Sequence, residues 1–204
     1  MGTPEFAVPT LEHLISSKHD LVAVVTQPDR PKGRGQKLTQ TPIKKTASES
    51  GFNVLQPESM RDSNFSQTLK SLEPDLMVVV AFSILPRKIL RVPRLGSINL
   101  HPSLLPAYRG AAPIVWAIAN GEKKTGLTTF LLNANVDSGN ILLQNEVPIS
   151  PEETAGQLQT RLSILGADLV IETINRLENK TLDPKPQSDT EVSYAPKLTK
   201  NDGR

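Results

Sequence analysis

Leu76-Met77-Val78-Val79-Val80 is the stretch that decides the fold, an apolar run with no polar interruption. A strand with one wet face alternates apolar and polar residues, because successive side chains point to opposite faces. An unbroken run therefore predicts a strand buried on both faces, the usual state in a parallel sheet covered by helices. The flanks agree. Upstream, Asp62 can cap a helix running to Leu72, and downstream Ser97 to Leu100 predicts another short strand. Leu21 to Val25 is a second nearly continuous apolar run, and Val54-Leu55 follows a weak helix over Ile43 to Ser50. Closer to the N-terminus, Thr3 can cap a helix from Pro4 to Ser17, with Phe6, Val8, Leu11, Leu14 and Ile15 as its apolar stripe.

The second half keeps the same rhythm. A helix is predicted over Pro113 to Asn120, and strands over Thr125 to Leu132 and Ile141 to Val147, around a turn at Asn135 to Asn140. A long amphipathic helix from Thr154 to Glu178 carries Leu158, Leu162, Leu165, Leu169 and Ile174. Buried strands alternating with helices predict a Rossmann-like α/β fold, a mostly parallel twisted sheet with helices on both faces. Residues 1–178 read as one domain. From Asn179 the periodicity is lost and Pro, Lys, Asp and Ser gather, so 179–204 reads as an extended tail or linker. Ligands of such sheets bind at the carboxyl ends of strands. The places to search are therefore just past Val80, the end of the Ser97 strand, and the 135–140 turn.

Composition narrows the chemistry. The chain has no cysteine, so disulfides and thiolate catalysis are excluded. It has no apolar run near the roughly 18 residues of a membrane span, and its first residues lack the features of a signal peptide. A cytoplasmic protein with no membrane partner is the expectation. A net charge of +2 conceals an uneven distribution: Arg30, Lys32, Arg34, Lys37, Lys44 and Lys45 lie between Pro28 and Lys45 against one acid, Asp29. A basic loop rich in Gly and Pro suits a mobile arm that contacts phosphates, and equally a solvated surface loop.

Gly96-Ser97-Ile98-Asn99-Leu100-His101-Pro102-Ser103-Leu104-Leu105-Pro106 carries the chemistry. Strand alternation puts Asn99 and His101 on one side, and Pro102 halts the strand with His101 at its carboxyl end. An amide donor beside an imidazole can stabilise a developing oxyanion and manage a proton. The plain alternative is a polar pair that satisfies strand-end backbone groups. His13, His19 and His101 show no ligand spacing, so no metal is expected.

Asn99 to Pro106, with Tyr108-Arg109-Gly110-Ala111-Ala112-Pro113 after it and Val136-Asp137-Ser138-Gly139 further on, resembles the signature of the folate-dependent formyltransferases. Met1-Gly2-Thr3-Pro4-Glu5-Phe6-Ala7-Val8-Pro9, Gln27 to Gly35 and Tyr194-Ala195-Pro196-Lys197-Leu198 are similar to the members that formylate methionyl-tRNA. The resemblance implies 10-formyltetrahydrofolate as donor and the amino group of initiator methionyl-tRNA as acceptor, in a monomeric enzyme. It assigns catalysis to Asn99, His101 and Asp137, with Asp137 orienting His101. It assigns folate binding to Ser103, Leu104, Leu105 and Pro106, and to Phe82, Ser83, Ile84 and Leu85 past the strongest strand. Arg30, Lys32, Arg34 and Lys37 would then contact tRNA, while Arg109 reaches substrate or pairs with an acid. Alternatives are a small acceptor, either a purine-pathway ribonucleotide or a UDP-amino sugar, and an inactive fragment. Against the family pattern, a first strand before Gly2 and a β-barrel after the tail are missing, and the 81–86 loop is one residue short. Asn135 stands where glycine is common. A missing first strand would leave an unfilled slot in the sheet.

Overall fold

Helix α1, Val8–Ile15, begins later than the sequence suggests. A 3-10 turn at Glu5–Ala7 precedes it with Pro4 at the cap position, and neither segment has a side-chain cap. The Thr3 hydroxyl is instead buried without a partner. Pro9 accounts for the delay: it has no N–H to donate, and its fixed φ suits only the first turn. The computed structural model describes residues 1–32 and 35–203, which divide into two units between Ile98 and Asn99.

In the first unit, strand β1 (Val24–Val25) pairs in parallel with β4 (Val54–Leu55). Only the last two residues of the Leu21–Val25 run form the strand, because the partner segment is itself short and Val22 is exposed. Between them lie β2 (Arg30–Lys32), β3 (Lys37–Thr39) and helix α2 (Pro42–Glu49), capped by the Thr41 hydroxyl. Strands β2 and β3 pair antiparallel, Arg30 opposite Thr39 and Lys32 opposite Lys37. The basic stretch, read as a loose arm, is thus a β-hairpin in its described residues. Its base is tied by Asp29, which accepts from Lys44 and from Gln56 at 2.7 Å. Helix α3 (Ser63–Ser71) takes its N-cap from Asp62, as the sequence indicates. The deciding run forms β5 (Met77–Val80), followed by the single turn α4 (Arg87–Leu90) and the start of β6 (Ser97–His101).

Met1 and Gly2 lie between β1 and β5. Gly2 N donates to Val25 O at 3.0 Å, and Val80 N donates to Met1 O at 2.9 Å. The terminal amine donates to Val78 O at 2.6 Å, and Gly2 bridges Val80 in parallel. For two residues they fill the slot that the sequence led us to expect empty.

In the second unit, β6 gives way to β7 (Arg109–Gly110), helix α5 (Pro113–Ala119), β8 (Lys124–Leu131) and β9 (Ile141–Pro148). Strand β8 lies between β6 and β9, antiparallel to β9. Helix α6 (Ala155–Glu178) starts at a capping box in which Thr154 and Gln157 satisfy each other's backbone N–H groups. Its buried Leu158, Leu162 and Val170 contribute about 1.5–3 kcal/mol each. Gly166 allows close packing on β6, since a Cβ there would come within 2.5 Å of Leu100 Cδ2. Leu100 therefore points toward α6, and its neighbours Asn99 and His101 point to the other side of the strand.

The segment after α6 is extended, as read, but it is bound rather than loose. Lys185 and Ile141 exchange two backbone hydrogen bonds of 2.8 and 2.9 Å. Further on, β10 (Tyr194–Ala195) pairs in parallel with β7, and Trp116 Nε1 donates to Pro196 O at 2.8 Å. Among the described residues no helix is long and apolar enough to cross a membrane.

Candidate active site

Strand β6 delivers His101 as its last residue, 3% exposed. The ring nitrogen Nε2 lies 2.8 Å from the carbonyl oxygen of Tyr108. A carbonyl only accepts, so Nε2 carries the hydrogen and, in the neutral ring, Nδ1 carries the lone pair. That Nδ1 faces Asp137 Oδ2 at 3.8 Å, beyond hydrogen-bond reach. Burial holds the imidazole below its ordinary pKa, against the opposing pull of the Asp137 charge and the Tyr108 carbonyl. A buried ring is hard to charge, so His101 is neutral at neutral pH and offers a basic Nδ1. Once that atom takes a proton, the carboxylate stabilises the resulting cation.

Asp137 sits at the head of the β8–β9 turn with φ +46°. Positive φ falls on the aspartate itself and not on Asn135, the residue that stands where glycine is common. Asn133 shapes the turn, its Oδ1 accepting from Asn135 N at 2.9 Å and from Ser138 Oγ at 3.1 Å. Asp137 Oδ2 accepts from Gly110 N at 2.8 Å, which aims the carboxylate. Asn99 is half-buried on the His101 side of β6, and its carboxamide has no side-chain partner among the described residues. Its N–H groups are available to a developing negative oxygen.

The 103–106 loop is braced from below. The Ser103 hydroxyl donates to Ala107 O at 2.6 Å, and Leu105 is buried. Thr128 Oγ1 donates to Ser103 O at 2.7 Å and accepts from Leu105 N at 3.1 Å. Gln144 Nε2 reaches Leu105 O at 2.8 Å. Ser103 and Leu105 are thus committed to the shape of the loop, and Leu104 and Pro106 are its half-buried members. In the first unit, the 81–86 loop leaves β5 with Ala81 at φ +46°. Ser83 Oγ accepts from Gln27 Nε2 at 2.8 Å, Phe82 is half-buried, and Ile84 is 79% exposed. Leu85 is buried. Arg30 and Lys37 are exposed on the hairpin, and Arg34 lies outside the described residues.

Arg109 pairs with no acid among the described residues. It donates to Gln187 Oε1 through Nε at 3.0 Å and Nη2 at 2.6 Å. Gln187 gave no signal in the sequence, where it lies in a polar, Pro-rich stretch without period. Thr128 did leave one, as a polar residue inside an otherwise strand-like run: buried there, it must find partners.

Gly110 takes φ +123°, and a Cβ on it would come within 2.6 Å of Ala195 O. Gly110→Ala is expected to cost about 1–3 kcal/mol and to cut turnover, because it displaces both β10 and the N–H that aims Asp137. Thermal unfolding and initial rates check this; a variant with wild-type melting and rate would show that the residue has no such role.

A family profile described as Formyl transferase matches residues 1–174, and the chain belongs to that family. It is 53% identical over 204 residues to a methionyl-tRNA formyltransferase of Thermodesulfovibrio yellowstonii, and 52% identical over 205 residues to one of Alkaliphilus oremlandii. All of this chain is covered in both comparisons, and it spans 66% of the length of each relative. Among solved structures, it resembles the phosphoribosylglycinamide formyltransferase of Anaplasma phagocytophilum with a TM-score of 0.74 at 21% identity, covering 93% of this chain and 94% of that one. An N-formyltransferase from Helicobacter canadensis, in complex with folinic acid and dTDP-3-aminofucose, gives a TM-score of 0.73 at 23% identity, covering 96% and 68%. At these identities the structural likeness establishes the fold, Rossmann-like α/β.

Proposed function

We propose that the protein transfers the formyl group of 10-formyltetrahydrofolate to the amino group of initiator methionyl-tRNA. The observation that carries the reading is the polarity of His101: Nε2–H is committed to Tyr108 O, and a basic Nδ1 faces the Asp137 carboxylate at 3.8 Å. The donor supplies an electrophilic formyl carbon. When an amine attacks that carbon, negative charge grows on the formyl oxygen and a proton must leave the nitrogen. Asn99 donates to the oxygen. His101 takes the proton at Nδ1, and Asp137 stabilises the cation so formed. The tetrahedral centre then collapses, the bond from the formyl carbon to N10 of the donor breaks, and His101 gives the proton to N10 as tetrahydrofolate leaves. The exposed Ile84 and half-buried Phe82 suit the face of a flat heteroaromatic ring.

The roughly half-identical relatives favour methionyl-tRNA over a small acceptor. The protein would act in the cytoplasm as a monomer, and residues 179–204 would lead to a further domain. Turnover with methionyl-tRNA, glycinamide ribonucleotide and a UDP-amino sugar, each with 10-formyltetrahydrofolate, tests the assignment. Preference for either small acceptor would overturn it.

The hairpin makes a separate prediction. Arg30, Lys32, Arg34 and Lys37 are assigned to the tRNA backbone. Replacing Arg30 and Lys37 by Ala should raise the KM for methionyl-tRNA and leave that for folate unchanged. The log–log salt dependence of tRNA affinity should flatten by about 0.7–0.9 for each phosphate that is no longer neutralised. An unaltered slope would return the hairpin to solvated surface.

A further inference from the structure

Gln187 uses its whole carboxamide inside the second unit. Its Oε1 accepts twice from Arg109, at 3.0 and 2.6 Å. Its Nε2 donates to Asp137 O at 2.9 Å and to Gly139 O at 2.8 Å. A carboxamide has two N–H donors and two lone pairs, so all four positions are filled. The backbone on either side is fixed as well, by the Lys185–Ile141 hydrogen bonds and by β10 on β7.

What these bonds hold includes a residue in an uncommon backbone conformation. Asp137 at φ +46° occupies a sparsely populated region, which persists only where the surroundings determine it. Its carbonyl is held by Gln187, and its carboxylate by the N–H of Gly110, the residue next to Arg109. One side chain thus grips both the aspartate turn and the strand that aims the carboxylate. The choice of an amide is informative. Arg109, 8% exposed, has no carboxylate partner among the described residues. A glutamate would pair with it more strongly, but would set negative charge against two carbonyl oxygens and leave both without a donor.

We infer that Gln187 is a positioning residue for the transfer, fixing the Asp137 carboxylate beside His101 Nδ1, so that residues 185–196 complete the catalytic site. The inference rests on the proposed roles of His101 and Asp137. Among the described residues, Asp137 is the charged group that acts on His101.

The test is the pH profile of kcat for Gln187→Leu and Gln187→Met, in the complete protein with donor and acceptor saturating. Gln187→Met follows the length of the glutamine side chain, adds no charge, and carries the test if the leucine variant does not fold. The expected result is a loss of about 10- to 100-fold in kcat, with the folate KM within about twofold of wild type. The acidic limb should move to lower pH, because a carboxylate that has swung away no longer helps charge the ring. A limb that stays in place or moves up overturns the inference, whatever happens to kcat. His101→Ala, run alongside, separates the two claims: wild-type turnover there sinks the reading of the site, and with it the role of Gln187.

Discussion

His101→Ala and Asp137→Asn are each expected to lower turnover by at least about 10²-fold with little change in folding. The two act on different atoms. Alanine removes Nδ1, the only basic position left on a ring whose Nε2 hydrogen is held by Tyr108 O. Asparagine leaves the turn's shape intact, because its oxygen can still accept from Gly110 N, but it removes the charge that stabilises a protonated ring. Wild-type kcat should fall as the pH drops through the His101 pKa. Since burial depresses that pKa, the limb should lie below the ordinary histidine value of 6.5, and in Asp137→Asn it should lie lower still. Steady-state rates across pH, paired with thermal melts, check all three statements. Near-normal turnover in either variant would remove the residue from the chemistry, a limb above 6.5 would mean that the Asp137 charge outweighs burial, and a rate that falls as the pH rises would mean that the ring works as a cation.

The sequence carried the alternation of strands and helices because burial on both faces leaves a plain mark, an apolar run such as Leu76 to Val80. It carried His101 because proline stops the strand right after it. It overestimated Leu21–Val25, because strand length depends on the partner, and β4 supplies only Val54–Leu55. It missed the hairpin at Arg30–Thr39, since short polar strands have no core to face and show no hydrophobic period. The supports of the site were the hardest to read. The Tyr108 carbonyl and the Gly110 N–H are backbone groups that any sequence possesses, and their direction is set by φ values of +59° and +123°. Gln187 lies 50 residues from Asp137 and reaches it only through the fold. Spacing along the chain can suggest which side chains do chemistry, but it does not show what aims them.

In a chain whose first residue is Met1, the terminal amine supplies a large expected effect on stability. Buried between β1 and β5, it donates to Val78 O at 2.6 Å, yet desolvation lowers its pKa from 8.0 to about 5. In the unfolded chain the amine titrates near 8.0, so between pH 5 and 8 the unfolded state binds more protons than the folded one. Stability must then rise with pH across that window. At about 1.4 kcal/mol per pKa unit, the difference over the full window is about 4 kcal/mol, large beside the stability of an ordinary domain. His101 adds a term of the same sign below pH 6.5, since its folded pKa is also depressed. A comparison isolates the amine: urea unfolding at about pH 5.5 and 8.5 of the chain beginning at Met1, with its terminus free or acetylated. An acetylated terminus keeps an N–H for Val78 O but has no proton to take up, so it should lose most of the pH dependence and be the more stable at the lower pH. Equal pH dependence in the two forms would mean that the amine escapes to water, and that Met1 and Gly2 do not stay between β1 and β5.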